Sequence, residues 1–202
     1  MNERLISIVG GGCIELQDVL GDDLTVVNAA RVSFSKQKSE LDSSDIRLIK
    51  YLAKHNHYTP FAQPQLRFRI RMPIFVARQW YKHTIGLTRN EISRRYVTSE
   101  PEFYLPEALR LSAENVKQGS SDEEHLFSSS LLALMRFTYS ECLRVYKMLI
   151  EENVCAEQAR MILPQAMFTE FIETGSLAAY ARIYSLRTEN TALGSWINSN
   201  LM

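Results

Sequence analysis

Gln65-Leu-Arg-Phe-Arg-Ile-Arg71 alternates without a break. Leu66, Phe68 and Ile70 fall on one face of an extended chain, and Arg67, Arg69 and Arg71 on the other. This segment is therefore a strand with one buried face. Pro73 then suits the first turn of a helix over 73–83, because its missing N–H is not needed there. Upstream, residues 4–9 read as a strand ending at Gly10-Gly11-Gly12. Ile14-Glu-Leu-Gln-Asp-Val19 reads as its hairpin partner. The glycine triplet lacks the spacing of a phosphate loop and reads as the turn.

Asp22 or Asp23 can cap a helix running to about Phe34, and Ser44 or Asp45 a second one to about His55. Residues 35–43 between them are polar and form a loop, and Thr59-Pro60 stops the second helix. Downstream, residues 84–100 look irregular. Residues 106–116 and 122–152 look helical, as do Ala156–Leu163, Leu177–Leu186 and Ala192–Leu201, while Phe168–Thr174 looks extended. The expected fold is α+β: one domain over residues 1–202, with a central antiparallel sheet flanked by helices and a largely helical C-terminal half.

Bulk composition excludes several classes. The chain has 202 residues, of which 46% are hydrophobic and 23% charged, enough apolar matter for a core. Lys+Arg and Asp+Glu both number 23, so no global charge draws it to nucleic acid or membrane. No N-terminal signal segment is recognisable and no apolar run approaches a membrane span. Cys13, Cys142 and Cys155 are odd in number and widely spaced, which suits a reducing, cytoplasmic location rather than a disulfide framework or a zinc site. His55 and His57 lack carboxylate neighbours, so they read as loop residues rather than metal ligands.

Charge is concentrated locally. Between Arg78 and Tyr96 lie five cations (Arg78, Lys82, Arg89, Arg94, Arg95) and one acid, Glu91. His83, Thr88, Asn90 and Ser93 add hydrogen-bonding groups. That mixture suits a phosphate monoester, although a solvated basic face has the same composition. Trp80 and Tyr81 could stack on a base or belong to the core. A second cation group comprises Arg160, Arg182 and Arg187. Arg160, on a largely apolar segment, needs an anionic partner: Glu157 or a ligand. No GxSxG, HExxH or local Cys–His signature is present, so an enzyme built this way would take its reactivity from a cofactor.

Arg78-Gln-Trp-Tyr-Lys-His-Thr-Ile-Gly-Leu-Thr-Arg-Asn-Glu-Ile-Ser-Arg-Arg-Tyr96 resembles the signature of the flavin-dependent thymidylate synthases, RHRxxSxNExSxRY, through His83, Asn90, Glu91, Ser93, Arg95 and Tyr96. Flanking agreement extends through Ala29–Phe34, His57–Phe61, Pro73–Trp80, Glu102–Pro106, Ala159–Pro164 and Leu186-Arg187. The family's RHR is here Lys82-His83-Thr84, with one residue inserted before Asn90. Its later Asn-Ala-Arg is Ser176-Leu177-Ala178.

The resemblance implies an activity and a site. dUMP would be methylated at C5, with methylenetetrahydrofolate as carbon donor and NADPH-reduced FAD as hydride source. Gln79, Lys82, Glu91, Ile92, Ser93, Arg94 and Arg95 would grip dUMP, joined by Arg160 from a neighbouring subunit. Arg187 would hold and activate the uracil. Ser33, His57, Thr59, Lys82, His83, Thr84, Asn90, Glu91, Ser176 and Arg182 would line FAD. The assembly would be a homotetramer with sites between subunits. No cysteine follows a proline, so activation of C5 would be electrostatic rather than by thiolate addition. Two rivals share these residues: a 5-hydroxymethylase on the same fold, and a nucleic-acid-binding module using Arg67, Arg69, Arg71 and residues 78–95. An inactive relative retained for assembly is a third.

Overall fold

Strand β3, Gln65–Pro73, lies at the centre of the sheet. The computed structural model describes residues 4–8, 10–97, 99–113 and 120–188. β1 (Leu5–Ile8) and β2 (Gly12–Leu20) form the expected hairpin. Gly10 and Gly11 take φ of 81° and 93°, a region that strains any side chain. With β4 (Leu87–Glu91) and β7 (Phe168–Ser176) these strands make a five-stranded antiparallel sheet ordered β1-β2-β3-β7-β4.

Register sorts the two faces of that sheet. Ile70 pairs with Ile14 and Phe171, and Phe68 with Leu16 and Glu173. Ile70, Met72, Ala77 and Phe171 form the buried core, with Ile14, Phe68, Val76, Trp80 and Tyr81 packed around it. The helix after Pro73, α3 (Ile74–Trp80), supplies Val76, Ala77 and Trp80 to that cluster. Truncating Ile70 to alanine would cost about 2–5 kcal/mol.

α1 (Asp23–Arg31) starts from Asp22, whose carboxylate accepts from the Thr25 N–H at 2.9 Å while its own N–H donates to Thr25 Oγ1 at 3.1 Å. A 3-10 turn, Val32–Phe34, extends it. α2 (Ser43–Lys54) is capped by Asp42, not by Ser44 or Asp45. Asp45 is instead fully buried, bound to Arg31 at 2.5 Å and Lys38 at 2.6 Å. Lys38 first, then the Asp42 N–H and Arg31, hold its carboxyl below the ordinary aspartate range against desolvation. A second 3-10 turn covers Thr59–Ala62.

Three other expectations are corrected. Residues 84–100 are not wholly irregular: Leu87–Glu91 pairs with β7, whose free edge satisfies its backbone. Residues 106–113 are not helical, because β5 (Arg110–Ser112) pairs with β6 (Ser120–Glu124); the rest of the expected helix, residues 114–116, lies outside the described residues. That pairing also delays the long helix α4 to Ser128–Glu151. α5 (Ala156–Ala159) passes into a 3-10 turn at Arg160–Ile162, and α6 spans Leu177–Thr188. The helix expected at Ala192–Leu201 lies outside the described residues. No helix among them is long and apolar enough to cross a membrane.

Candidate functional site

α3 and α6 meet at the β4 edge of the sheet. α3 ends at Trp80, and the His83 N–H donates to the Trp80 carbonyl at 3.0 Å, turning the chain outward. Gly86 reverses it with φ of 74°. A Cβ there would stand 3.1 Å from both Ala179 Cβ and Ser176 Oγ, so only glycine lets β4 lie this close to α6. Ser176 N donates to the Gly86 carbonyl at 3.2 Å, and Ser176 Oγ accepts from the Ala179 N–H at 3.2 Å, capping α6.

Three expected site residues converge here. Arg187, in the last turn of α6, approaches His83 Nε2 through Nε at 3.1 Å and Nη2 at 2.9 Å, and reaches the Gln79 carbonyl at 3.5 Å. His83 must accept, so Nε2 is unprotonated and the proton sits on Nδ1. Burial, then the charges of Arg187, Arg89 and Arg182, push the His83 pKa down, which keeps the ring neutral near pH 7. Burial also lowers the Arg187 pKa, yet a guanidinium stays charged. Arg187 meets no carboxylate among the described residues.

Neighbouring residues divide by element. Lys82, Thr84 and Arg182 are exposed around this junction, and Lys82 and Arg182 have no ion pair among the described residues. Ser33, His57 and Thr59 are exposed on the α1 3-10 extension and the 57–62 turn, which packs against both α1 and α6. His55 and His57 lie against the Tyr51 ring, at 4.4 and 6.2 Å between centroids. Among the described residues no group of three or more His, Cys, Asp or Glu could hold a metal.

β4 presents Asn90 and Glu91. Glu91 accepts from Thr169 Oγ1 at 2.5 Å and pairs with neither Arg94 nor Arg95. Ile92 N donates to the Glu170 carbonyl at 2.9 Å, and the Tyr96 N–H to the Ser93 carbonyl at 3.0 Å, forming the turn that carries Ser93, Arg94 and Arg95. Ile92 and Arg94 line a cavity of about 150 Å³ with Arg71, Phe168 and Glu170. Arg95 lies 5.2 Å from the Tyr96 ring. Arg160 is exposed on its 3-10 turn, against α4, and its Nε donates to the Glu157 carbonyl at 3.3 Å rather than to the Glu157 carboxylate. Among the described residues, no hydrogen bond or ion pair joins Arg95 or Arg160 to Arg187.

The residue missed from sequence is Glu173. It is fully buried on β7 and accepts from Arg89 Nε, from Trp80 Nε1 at 2.9 Å and from Tyr180 OH at 3.2 Å. Arg89 is thus neutralised internally, although its buried Nη2 has no partner. The signal was available: alternation from Phe171 puts a charged residue on the apolar face.

The arginines of β3 are also neutralised. Arg67 faces Asp18 at 3.7 Å, Arg69 faces Glu170 at 2.7 Å, and Arg71 faces Glu102 at 2.9 Å. Each of these three arginines therefore has an acid beside it.

Residues 15–195 match the family model described as thymidylate synthase complementing protein. The chain belongs to the flavin-dependent thymidylate synthase family. It is 42% identical over 166 residues to the flavin-dependent thymidylate synthase of Thermus thermophilus, covering 82% of this chain and 60% of that protein. It therefore spans less than two thirds of that relative's length. The Thermosipho melanesiensis enzyme of the same name is 37% identical over 186 residues, covering 92% of this chain and 80% of the relative. Among solved structures, the UMP/dUMP methylase PolB from Streptomyces cacaoi, bound with 5-Br dUMP, superposes with a TM-score of 0.80 at 26% identity, covering 96% of this chain and 90% of that one.

Proposed function

We propose that this chain methylates dUMP at C5 to give dTMP, with methylenetetrahydrofolate as carbon donor and FAD, re-reduced by NADPH, as hydride source. The observation that carries the reading is Arg187, charged, held against a neutral His83 and lacking any carboxylate partner among the described residues. Such a guanidinium is available to a ligand. The curated relatives are named flavin-dependent thymidylate synthases, and the similar solved protein is named a UMP/dUMP methylase with a brominated dUMP bound.

The donor set fits FAD. A pyrophosphate needs unpaired cations and hydroxyls, and Lys82, Arg182, Ser33, Thr59 and Thr84 supply them beside the imidazoles of His57 and His83. The orphaned Arg89 Nη2 is a further buried donor with no acceptor among the described residues. Ser176 lies opposite Gly86 at this junction, and Asn90 and Glu91 lie farther along β4, opposite Ile172 and Phe171. Bound there and reduced by NADPH, FAD would supply the hydride that takes the transferred one-carbon unit to a methyl group.

The chain's own residues do the rest. Gln79 and Lys82, with the Glu91–Arg95 turn and Arg160, bind and orient dUMP, mainly through its phosphate. Arg187 stabilises negative charge on uracil N3, O2 and O4 and so raises electron density at C5, a contribution of about 3–4 kcal/mol in a water-excluded site. His83, neutral and accepting, fixes the guanidinium without competing for its charge.

We infer a homotetramer with sites shared between copies, the chain acting as one domain in the cytoplasm. Leu131, Leu134 and Phe137 on α4 are exposed in the single chain, an apolar stripe that fits subunit packing. Arg160 sits against α4, so an interface there carries it to the seam between copies. Incubating the protein with FAD, dUMP, methylenetetrahydrofolate and NADPH tests the reading by product mass. The expected product is dTMP. A product heavier by one oxygen, or unchanged dUMP, would overturn it.

A further inference from the structure

Glu173 is an expensive residue where it stands. It lies mid-strand on β7, fully buried, with Phe68 opposite on one side and Arg89 on the other. A buried ion pair is often no more stabilising than apolar residues of the same volume, because desolvation consumes most of the attraction. What a carboxylate offers here, and an apolar side chain does not, is direction. Its Oε2 accepts from Trp80 and Arg89, and its Oε1 from Tyr180.

Those donors come from three elements, and each element carries site residues. Trp80 closes α3, next to Gln79, Lys82 and His83. Arg89 lies on β4, next to Asn90 and Glu91. Tyr180 is in the first turn of α6, about two helical turns before Arg187 and so on the same face. The Trp80 ring meets the His83 ring edge-on at 6.1 Å, and His83 accepts from Arg187. Starting at Glu173, one path runs through Trp80 to His83, and another through Tyr180 along α6 to Arg187. The two paths close on the His83–Arg187 hydrogen bond. Phe68 packs on Tyr180 at 5.1 Å with its ring nearly perpendicular, which fixes the second path sideways.

We propose that Glu173 is the positioning residue of this site: by binding Arg89, Trp80 and Tyr180 together it sets the angle between α3, β4 and α6 at which Arg187 meets His83. It touches no substrate and is not a catalytic residue. The proposal deepens the thymidylate synthase reading and rests on it for the kinetic part of its test.

The test uses the full-length, FAD-loaded protein with nitrogen-labelled histidine. Three variants are compared with the parent: Glu173→Gln, the double variant Arg89→Leu with Glu173→Leu, and Trp80→Phe. The parent should show the His83 imidazole as a single neutral tautomer with Nε2 unprotonated. Glu173→Gln should lose that order, melt earlier and fall about a hundredfold in kcat, the scale of a misplacement near 1 Å. The double variant removes both charges, so its melting temperature should recover in part toward the parent's, less what the unpaired Trp80 and Tyr180 donors cost, while kcat and the imidazole signal stay disturbed.

A purely structural role predicts that kcat and the imidazole signal recover with the melting temperature, and that recovery would overturn the proposal. If the double variant fails to fold, Trp80→Phe decides. It removes the indole N–H together with part of the ring that meets His83, and an unchanged His83 signal in it contradicts the proposal. A parent protein that takes up flavin but leaves dUMP unchanged sinks the functional reading, not this one. The imidazole signal of Glu173→Gln still decides positioning: disorder supports it and a parent-like signal overturns it.

Discussion

On β3, every arginine has an acid. Asp18, Glu170 and Glu102 stand within 3.7 Å of Arg67, Arg69 and Arg71. At the meeting of α3 and α6, Lys82, Arg182 and Arg187 have none among the described residues, and Arg187 rests on a neutral imidazole instead. The two regions look alike as sequence, each a run of cations with hydrogen-bonding or apolar neighbours. They differ in what the fold sets opposite. Antiparallel register brings Asp18 of β2 to Arg67 and Glu170 of β7 to Arg69, and the segment bridged at Phe103 brings Glu102 to Arg71, so those charges hold the sheet and its neighbouring loop together. The α3–α6 junction brings cations together without acids, an arrangement that pays off only when an anion arrives. Arg89 belongs with the first group despite its place in the signature, because Glu173 lies directly across from it.

The largest effect that would break this comparison comes from Arg187→Ala. Turnover should fall by about 10²–10³-fold, as for a lost transition-state donor, while flavin uptake measured by absorbance persists. Full activity in that variant would remove Arg187 from the mechanism. Next, Lys82→Ala should raise the KM for dUMP by about 10-fold or more, the worth of one charge-assisted hydrogen bond, with a shallower dependence of KM on salt. An unchanged KM would put Lys82 outside the site.

A pH series on stability sharpens the paired side. The Asp45 carboxyl is held below the ordinary range chiefly by Lys38, so its stabilising contribution is complete above the unfolded aspartate value of about 4 and is lost as pH falls through the lower folded value. Asp45→Asn should lower the melting temperature at neutral pH and flatten its decline toward acid. An undiminished acid decline would assign that decline to other carboxylates. The smallest effect belongs to Arg69→Ala: half-exposed with its partner Glu170, it should cost under about 1 kcal/mol of stability and leave dUMP kinetics untouched.

Much of the sheet was legible because its signals are local. Alternation over Gln65–Arg71, the hairpin glycines and the Asp22 cap each depend on neighbours a few residues away. The failures have one cause, pairing at a distance. Residues 110–112 favour helix by composition and become strand because Ser120–Glu124 lies alongside. Asp45 looks like a cap and is drawn instead into the Arg31 and Lys38 pair. The site follows the same rule. Its cationic content could be read between Arg78 and Tyr96, but His83 and Arg187 lie 104 residues apart, and nothing local announces that they touch. Only the family resemblance placed Arg187 in the site. Glu173 broke the apolar alternation of its strand, a visible anomaly whose meaning needed the donors around it.

Calorimetric titration of dUMP into the FAD-loaded protein, run in parallel on the parent, Arg187→Ala and Arg69→Ala, is the most direct measurement. Unpaired cations as the nucleotide site predict dUMP binding sharply weakened in Arg187→Ala and equal to the parent in Arg69→Ala. Binding lost in Arg69→Ala and kept in Arg187→Ala would place the nucleotide on the wrong side of the sheet and contradict the account.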